Sequence, residues 1–242
     1  MNKRRLLGQH VLIDSNILRS IADYAELDRN DVVFEIGTGN GNLTAELCKR
    51  AKRVISCEVD EDLSKKAQNS LSKYNNLLLV NGDGFKTDHD FDVFVSNLPY
   101  SKSRTAVEWL AVRDFDRAIV MVQREFAAKL LANSGSNYRA VSALAQYCFD
   151  IEPVMQVSKN SFYPRPKVDS VLLKIVKKRK VSKDVIRGLK LLFSFRGKKL
   201  SSVARKLGIN ENINDIRVER LSAEQAIRLA EKIAHELLLQ TI

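Results

Sequence analysis

The sequence is poor in the residues that mark disulfide-rich, collagen-like or low-complexity proteins. Its 242 residues include three cysteines, four prolines and ten glycines. Cys48, Cys57 and Cys148 form no CxxC pair, so they predict buried core residues in a reducing compartment and not a disulfide framework. The three histidines lie far apart in the chain, and we therefore predict no metal site.

Long apolar runs are also absent. No stretch approaches the roughly 20 apolar residues that a membrane-spanning helix needs. The chain starts with residues 1–5, Met-Asn-Lys-Arg-Arg, and continues without the apolar segment of a secretory signal. We therefore expect a cytoplasmic protein that does not enter a membrane. Hydrophobic residues at 45% and charged residues at 29% predict a globular chain and argue against disorder.

Positive charge is what the sequence has in excess. Forty Lys and Arg residues face 29 Asp and Glu residues, which gives a net charge of +11. Residues 156–206 contain 16 of the basic residues and only two acids, Asp169 and Asp184. Any run of charge can be a solvated face, but this bias exceeds what solubility requires. It predicts a surface that binds the phosphate backbone of a nucleic acid.

Short apolar runs alternate with helical patterns over the first two-thirds of the chain, which is typical of an α/β protein with a parallel sheet. The predicted strands are Val32–Ile36, Val54–Val59, Leu77–Val80, Phe91–Val95, Ala118–Val122, Val154–Val157 and Val168–Val176. The predicted helices are residues 42–51, 60–72, 103–111, 123–132, 138–149, 182–194, 200–207 and 222–240. We expect the last two strands to form an antiparallel pair that closes the sheet. A boundary at residue 178 divides a sheet domain, residues 1–178, from a small basic helical domain, residues 179–242.

A glycine-rich loop follows the first predicted strand, where residues 35–41 read Glu-Ile-Gly-Thr-Gly-Asn-Gly. Glycines let the backbone turn sharply and approach a ligand closely. A nicotinamide-binding GxGxxG loop would need glycine at position 42, where the chain has Asn42. The spacing instead resembles the GxGxG loop of adenosylmethionine-dependent methyltransferases. It predicts a Rossmann-like sheet that binds S-adenosylmethionine through Gly37 and Gly39.

Carboxylates end the next two predicted strands. Glu58 ends the second strand, where a carboxylate can accept both ribose hydroxyls of a nucleoside. Asp83 follows the third strand, in a position to accept a hydrogen bond from an adenine amino group. Either residue alone fits an ordinary turn at the end of a strand. Together with the glycine loop they predict one nucleoside-cofactor site at the carboxyl edge of the sheet.

The fourth predicted strand leads into Asn97-Leu98-Pro99-Tyr100, which resembles the Asn-x-Pro-aromatic motif of enzymes that methylate exocyclic amino nitrogens. An adenine amino nitrogen is a poor nucleophile, because its lone pair is delocalised into the ring. The side-chain oxygen of Asn97 and the backbone carbonyl of Leu98 can accept its two N–H bonds and orient the nitrogen. Pro99 stiffens the loop, and Tyr100 offers a face for a flipped-out base. The alternative is a plain Asn-Pro turn.

Four motifs occur in one order along the chain. They are Gly8-Gln9-His10-x-Leu12, the GxGxG loop, residues 97–100, and residues 162–170 with the sequence Phe-Tyr-Pro-Arg-Pro-Lys-Val-Asp-Ser. Together they resemble the ribosomal RNA adenine N6-dimethyltransferases, over residues 5 to 206. That family includes the small-subunit RNA dimethylases and the macrolide-resistance enzymes that act on large-subunit RNA.

The resemblance implies roles for further residues. Gln9, His10 and Leu12 would fold over the cofactor, and Phe162 would stack on the target base opposite Tyr100. The residues that would contact the cofactor are Gly37, Glu58, Asp83 and Asn97. RNA is favoured over DNA because the motifs resemble those of ribosomal RNA enzymes. The basic residues expected to bind it are Arg165, Lys167, Arg196, Lys198 and Lys199.

The chain departs from the family pattern at two positions. His10 stands where the family usually has Asn, and Arg139 replaces a glycine in a Tyr-Gly-x-x-Ser stretch. Asp169 is more similar to the small-subunit enzymes, because the resistance enzymes tend to have Asn there.

The motifs predict an enzyme that dimethylates N6 of adjacent adenosines in small-subunit (16S-type) ribosomal RNA with S-adenosylmethionine. We expect it to act as a monomer on RNA within a pre-assembled small-subunit particle, in ribosome biogenesis. Two alternatives stay open: a resistance-type enzyme acting on 23S ribosomal RNA, and a non-catalytic RNA-binding assembly factor. Loss of Glu58 or of residues 97–100 would mark the assembly factor, and all of them are intact.

Overall fold

The structure, a computed structural model, describes residues 10–209 and 216–239, without the side chains of residues 237–239. These residues form two compact units. The sheet unit comprises the described residues up to Ala106, together with Asp114–Ala127 and Ile151–Lys177. The helical unit comprises Val107–Arg113, Ala128–Asp150 and the described residues from Lys178 onward. The division of the chain at residue 178 into two functional domains stays a prediction, because compactness alone does not show where function resides.

Two sheets contain the strands. A two-stranded sheet pairs β1 (Val11–Leu12) with β8 (Phe162–Tyr163) in antiparallel orientation. The larger, seven-stranded sheet has the order β4-β3-β2-β5-β6-β9-β7. Its strands are β2 (Val32–Ile36), β3 (Arg53–Glu58), β4 (Leu77–Asn81), β5 (Val93–Ser96), β6 (Arg117–Gln123), β7 (Phe149–Val157) and β9 (Ser170–Lys177).

The order of the strands creates a ligand-binding crevice. Strands β4, β3, β2, β5 and β6 pair in parallel, and β9 pairs antiparallel with β6. The chain builds β2, β3 and β4 outward in one direction and then returns to place β5 on the other side of β2. Open α/β sheets bind ligands outside the carboxyl ends of the strands at such a reversal. The predicted α/β fold with a central parallel sheet is confirmed.

The inner strands were predictable because both of their faces are buried. Every residue of β5 is buried, and so are all residues of β2 except the first. Strands covered on both faces consist of near-continuous apolar residues, which is the pattern found at these positions. The strand β7 begins at Phe149 and not at Val154 as predicted. It is an edge strand that includes Asp150 and Glu152, and these polar residues weaken the apolar signal.

Helices connect the strands and form most of the helical unit. They are α1 (Ser15–Tyr24), α2 (Asn42–Cys48), α3 (Glu61–Ser70), α4 (Ser103–Ala111), α5 (Arg124–Leu130), α6 (Ala140–Cys148), α7 (Lys183–Ser194), α8 (Leu200–Leu207) and α9 (Ala223–Leu239). The sequence prediction missed α1, which Asp14 caps by accepting hydrogen bonds from the backbone N–H groups of Asn16 and Ile17. None of the helices in the described ranges is long and apolar enough to cross a membrane.

Two helices of the helical unit approach each other at a glycine. A Cβ atom placed on Gly188 of α7 would lie 2.3 Å from the carbonyl oxygen of Ala230 in α9. A side chain at this position would therefore collide with backbone, which cannot move aside as a flexible side chain can. The buried Tyr138 ring also packs against Phe193 in an edge-to-face arrangement, with the ring centroids 5.5 Å apart.

Candidate active site

The loops that follow β2, β3, β4 and β5 surround one cavity of the sheet unit, with a volume of about 280 Å³. The predicted cofactor residues that line it are His10, Leu12, Gly37, Gly39, Glu58, Asp83 and Asn97. Gln9, the remaining predicted contact, lies outside the described residues. The structure thus brings together residues that are scattered over 88 positions of the sequence, from residue 10 to residue 97.

The glycine loop is fixed to the neighbouring strand by hydrogen bonds. The backbone N–H of Gly37 donates to the carbonyl oxygen of Cys57 at 2.8 Å. Gly39 has a φ of 56° and donates its N–H to Oε2 of Glu58 at 2.8 Å. Residues other than glycine rarely adopt this left-handed conformation. Gly39 therefore lets the loop bring a backbone donor onto the carboxylate that ends β3.

Glu58 is buried, yet its carboxylate keeps acceptor capacity on the cavity side. Its Oε2 accepts the N–H of Gly39, and its Oε1 accepts the N–H of Asp60 at 3.0 Å. A carboxylate offers about four lone-pair sites, so the two backbone bonds leave room for two hydroxyl donors. These free acceptor sites fit the two adjacent hydroxyls of a ribose, which would donate to them.

Asp83 occupies the next position along the carboxyl edge. Its Oδ1 accepts the backbone N–H of Phe85 at 3.1 Å, which fixes the side chain at the start of a short 3-10 helix, Gly84–Lys86. A Cβ on Gly84 would lie 2.7 Å from Cγ1 of Ile36, so glycine lets this turn pack directly on the end of β2. The Asp83 carboxylate is held at the cavity wall with capacity for a further donor.

Asn97, Leu98 and Pro99 line the same cavity from the end of β5. The hydroxyl of Ser96 donates to the carbonyl oxygen of Ile36 at 2.6 Å and ties this loop to the end of β2. The carbonyl oxygen of Pro99 accepts the N–H of Lys102 at 2.8 Å, which closes a turn. The amide of Asn97 and the groups that would bind a nucleoside therefore face one space.

Tyr100 lies next to this loop and is half-buried. Its hydroxyl forms a 2.7 Å hydrogen bond with Oγ of Ser170. Burial raises the pKa of the phenol, so the group is neutral at physiological pH. These contacts fix the ring, as a stacking platform for a base requires.

The β1 strand is fastened to the segment that carries the last predicted motif. Val11 pairs with Tyr163, and Leu12 pairs with Phe162. Nδ1 of His10 lies 2.7 Å from the carbonyl oxygen of Pro164, and the centroid of the imidazole lies 5.5 Å from the centroid of the Tyr100 ring. His10 therefore links β1, which covers the cavity, to both the 162–170 segment and the Tyr100 ring.

The structure does not bring Phe162 to the cavity. Its side chain is 3% exposed and belongs to a hydrophobic core cluster whose members include Leu12 and Leu18. The adjacent Tyr163 is 70% exposed. Stacking of Phe162 on a target base stays a prediction, and it requires the ring to leave this cluster.

The predicted RNA-binding residues are accessible within their own units. Arg165 and Lys167 are exposed in the sheet unit, and Lys198 and Lys199 are exposed in the helical unit. The side chain of Arg196 is 34% exposed, and its Nη2 lies 3.6 Å from Oε2 of Glu219. Solvent access is what contact with RNA phosphates requires.

Sequence reasoning did not assign a role to Glu35, which is buried and lines the cavity. The hydroxyls of Thr44 and Ser56 each donate to its Oε2 at 2.6 Å, whereas its Oε1 has no hydrogen-bond partner among the described residues. Burial raises the pKa of this carboxyl to about 7, and the charge of Glu58 contributes to the same direction. The position of this acid, two residues before the first glycine, is the signal that could have found it.

Lys102 is a second cavity residue that the sequence did not single out. Its side chain is exposed at the cavity wall, one turn after the Asn97 loop. It places a positive charge at the site, where it can attract an anionic group of a ligand.

The comparison with protein-family models gives one match across most of the chain. Residues 1–235 match the model described as ribosomal RNA adenine dimethylase. The match includes the glycine loop, the strand-end carboxylates, the Asn97 loop and the 162–170 segment.

Individual relatives agree with this match. The chain is 38% identical over 213 residues to a probable ribosomal RNA small subunit methyltransferase A from Pyrococcus abyssi, covering 87% of this chain and 79% of that protein. The fold of the present chain is similar to that in the crystal structure of a dimethyladenosine transferase from Plasmodium falciparum. The TM-score is 0.79, with 27% identity over 94% of this chain and 98% of that one. A 23S rRNA methyltransferase is also similar, with a TM-score of 0.66 and 26% identity over 92% and 98% of the two chains.

Proposed function

Because this chain belongs to the ribosomal RNA adenine dimethylase family, we propose that it dimethylates N6 of adjacent adenosines in small-subunit ribosomal RNA with S-adenosylmethionine. One observation carries the proposal. The amide loop at Asn97 lines the same cavity as Glu58 and Asp83, so a group that accepts an amino nitrogen faces the groups that fit a nucleoside cofactor.

The cavity residues hold the cofactor through its nucleoside. Glu58 accepts the ribose hydroxyls, and Asp83 accepts the adenine amino group. The glycine loop at Gly37 and Gly39 lets the backbone approach, and Leu12 covers the site from β1. When bound, S-adenosylmethionine supplies an electrophilic methyl group on a sulfonium.

The Asn97 loop prepares the nucleophile. The target base must leave its stack to reach the cavity. The Asn97 side-chain oxygen and the Leu98 carbonyl each accept one N–H of its amino group, which directs the nitrogen lone pair toward the methyl donor. Pro99 restricts the backbone of this loop, because its ring fixes φ.

Tyr100 supports the base from the side, since an aromatic face can stack on an extruded base. Its hydrogen bond to Ser170 and its contact with His10 hold the ring in place. The proton released by the methylated amine needs no strong base, because the alkylated nitrogen is acidic. Asn97 and Tyr100 therefore act by positioning the target base and its amino group, and methyl transfer requires little further assistance from the protein.

The small subunit is favoured over the large subunit as the source of the RNA. Relatives at 35% and 38% identity are named small subunit methyltransferase A. Among solved structures, the TM-score is 0.79 for the dimethyladenosine transferase and 0.66 for the 23S rRNA methyltransferase. Asp169 contributes less to this choice. Its Oδ1 accepts the N–H of Lys159 at 3.0 Å, a bond that an asparagine oxygen could also accept.

The protein acts as a monomer on RNA in a pre-assembled small-subunit particle in the cytoplasm, during subunit biogenesis. The basic bias of residues 156–206 supports binding to a large RNA surface. The intact cavity disfavours the alternative of a non-catalytic assembly factor, which would have no need for Glu58 or Asn97.

Methyl transfer to purified subunits tests this function. Undermethylated small subunits, large subunits and protein-free small-subunit RNA are incubated with the protein and S-adenosylmethionine labelled on its methyl group. We expect label in adjacent adenosines of the small-subunit RNA, with two methyl groups on each N6, and incorporation about 100-fold slower with the Asn97→Ala variant. Label in the large-subunit RNA would support the resistance-type enzyme, and no transfer to any RNA would support the assembly factor.

A further inference from the structure

Two arginines of the helical unit converge on one backbone oxygen. The guanidinium of Arg139 donates an Nη1 hydrogen bond to the carbonyl oxygen of Ser136 and one at 3.0 Å to that of Tyr138. Arg196 donates from its own Nη1 to the same Ser136 oxygen at 3.4 Å. Two cations therefore meet at a single neutral acceptor.

The positive charge of this pair is only partly compensated. Glu219 lies 3.6 Å from Nη2 of Arg196, and within the described parts of the chain Arg139 forms no ion pair. Burial lowers the pKa of Arg139, the charge of Arg196 lowers it further, and Glu219 opposes them. One carboxylate thus faces two guanidinium groups, so an added anion would relieve their repulsion.

The backbone around Arg196 is held by a second segment of the same unit. The N–H of Glu219 donates to the carbonyl oxygen of Arg196 at 3.0 Å, and the N–H of Val218 donates to that of Lys198 at 3.1 Å. Lys198 and Lys199 are exposed beside this segment. The two arginines are therefore fixed next to residues that the sequence predicts to bind RNA.

We propose that Arg139 and Arg196 together bind one phosphate group of the substrate RNA. A guanidinium is a planar fork of five N–H donors that matches phosphate geometry. The hydrogen bonds to Ser136 and Tyr138 engage Nη1 of each arginine, which leaves further donors on both groups. This inference rests on the proposed function, because it names the part of the RNA that this surface holds.

The salt dependence of RNA binding counts the phosphates that a protein neutralises. The probe is an unmodified transcript of small-subunit ribosomal RNA. Its dissociation constant is measured by fluorescence anisotropy between 50 and 200 mM KCl for the wild type, Arg139→Ala, Arg196→Ala and the double variant. One phosphate contributes about 0.7 to 0.9 to the slope of log K against log salt.

We expect each single variant to bind the transcript more weakly but to keep most of the slope, because the remaining arginine still neutralises the phosphate. Because both arginines hold the same phosphate, the double variant should lose no more than about 0.9 of slope in total. Between 50 and 200 mM KCl, the fold-decrease in the affinity of the double variant would then be about three times smaller than that of the wild type. Losses that add to about twice this amount would assign the arginines to separate phosphates and overturn the shared site.

Two further variants separate charge from structure. Arg53 is exposed at the amino end of β3, the end opposite the cavity, so Arg53→Ala removes the same charge and should leave the slope unchanged. Arg139→Lys keeps the charge without the planar fork, and it should recover most of the slope with weaker affinity. Thermal unfolding of each variant shows whether the substitution has altered the stability of the folded protein.

The outcomes distinguish this proposal from the proposed function. A wild-type slope in the double variant, with RNA bound and methylated by the wild type, would exclude the arginine pair as a phosphate site and leave the proposed function intact. So would an Arg139→Lys variant that keeps the wild-type melting temperature but not the slope of the wild type. A wild type that neither binds nor methylates the transcript or the subunits would instead remove the proposed function.

Discussion

Nδ1 of His10 lies 2.7 Å from the carbonyl oxygen of Pro164. A carbonyl oxygen can only accept a hydrogen bond. Nδ1 therefore carries the hydrogen, and the imidazole is the donor of this bond. This hydrogen bond closes β1 over the cavity and places the imidazole against Tyr100. The histidine thus does the work of a donor, a role that the side-chain amide of the family's asparagine can also fill.

The first prediction concerns this closure. His10→Ala should raise the dissociation constant for S-adenosylmethionine about threefold to tenfold, since one hydrogen bond contributes about 0.5–1.5 kcal/mol. His10→Asn should stay close to the wild type, because its amide N–H can reach the same kind of acceptor. Titration calorimetry measures both constants, and equal affinities for the wild type and His10→Ala would show that cofactor binding does not depend on this hydrogen bond.

Glu58 provides the second prediction. Glu58→Ala should weaken cofactor binding by about 1.5–3 kcal/mol, the usual cost of losing a charged hydrogen-bond partner. Glu61→Ala is the control, because it removes an exposed acid at the start of α3. Calorimetry that finds unchanged affinity in a folded Glu58→Ala variant would exclude the ribose contact.

The third prediction separates chemistry from binding. Asn97→Ala should lower turnover about 100-fold, because the amino group loses its orientation. Its affinity for small-subunit RNA should stay unchanged, since the basic residues that bind phosphates are intact. Single-turnover methyl transfer and RNA binding are measured on the same preparation. A proportional fall in both would assign Asn97 to RNA binding.

Tyr100 gives a fourth prediction through two matched variants. Tyr100→Phe keeps the aromatic face and loses only the hydrogen bond to Ser170, so it should retain much of the activity. Tyr100→Ala should lose the stacking contribution of about 1–3 kcal/mol. Methylation rates with saturating cofactor compare the two, and a wild-type rate for Tyr100→Ala would contradict the stacking role.

Glu35 predicts how stability varies with pH in the cofactor-free protein. Its folded-state pKa of about 7 lies above the ordinary value of 4.5, chiefly because burial disfavours the charged carboxylate. The folded state therefore binds this proton more tightly than the unfolded state does. The resulting stabilisation is fully present below pH 4.5 and is lost as the pH rises through 7.

A variant isolates this effect. The Gln side chain of Glu35→Gln does not titrate. Between pH 4 and pH 8, the free energy of unfolding of the wild type should therefore fall by about 3 kcal/mol relative to that of the variant. Urea unfolding of both proteins across this range measures the difference, in which other titrating groups cancel. A difference that stays constant with pH would mean that folding does not raise the pKa of Glu35.

The sequence predicted most of the sheet and most of the cavity. Buried strands such as β2 and β5 carry continuous apolar runs, and parallel strands bring their carboxyl ends to one edge, so Glu58, Asp83 and Asn97 could be placed together. These positions depend on local pattern and on the general geometry of the fold.

Other features depend on contacts between distant parts of the chain. The strands β1 and β8 have two residues each, which is too short for a periodic signal, and they form only by pairing with one another. The burial of Phe162 follows from that pairing. The raised pKa of Glu35 and the meeting of Arg139 with Arg196 likewise require side chains that tertiary structure brings together.

The contact between Gly188 and Ala230 has a consequence for variation in this protein. Any residue larger than glycine would push the backbones of α7 and α9 apart, because the 2.3 Å approach leaves no space for a methyl group. The packing of the helical unit therefore depends on glycine at position 188, which is remote in sequence from every residue of the cavity. Gly188→Ala would loosen that unit through the addition of three hydrogens and one carbon in place of one hydrogen, with the chemistry of the site unaltered.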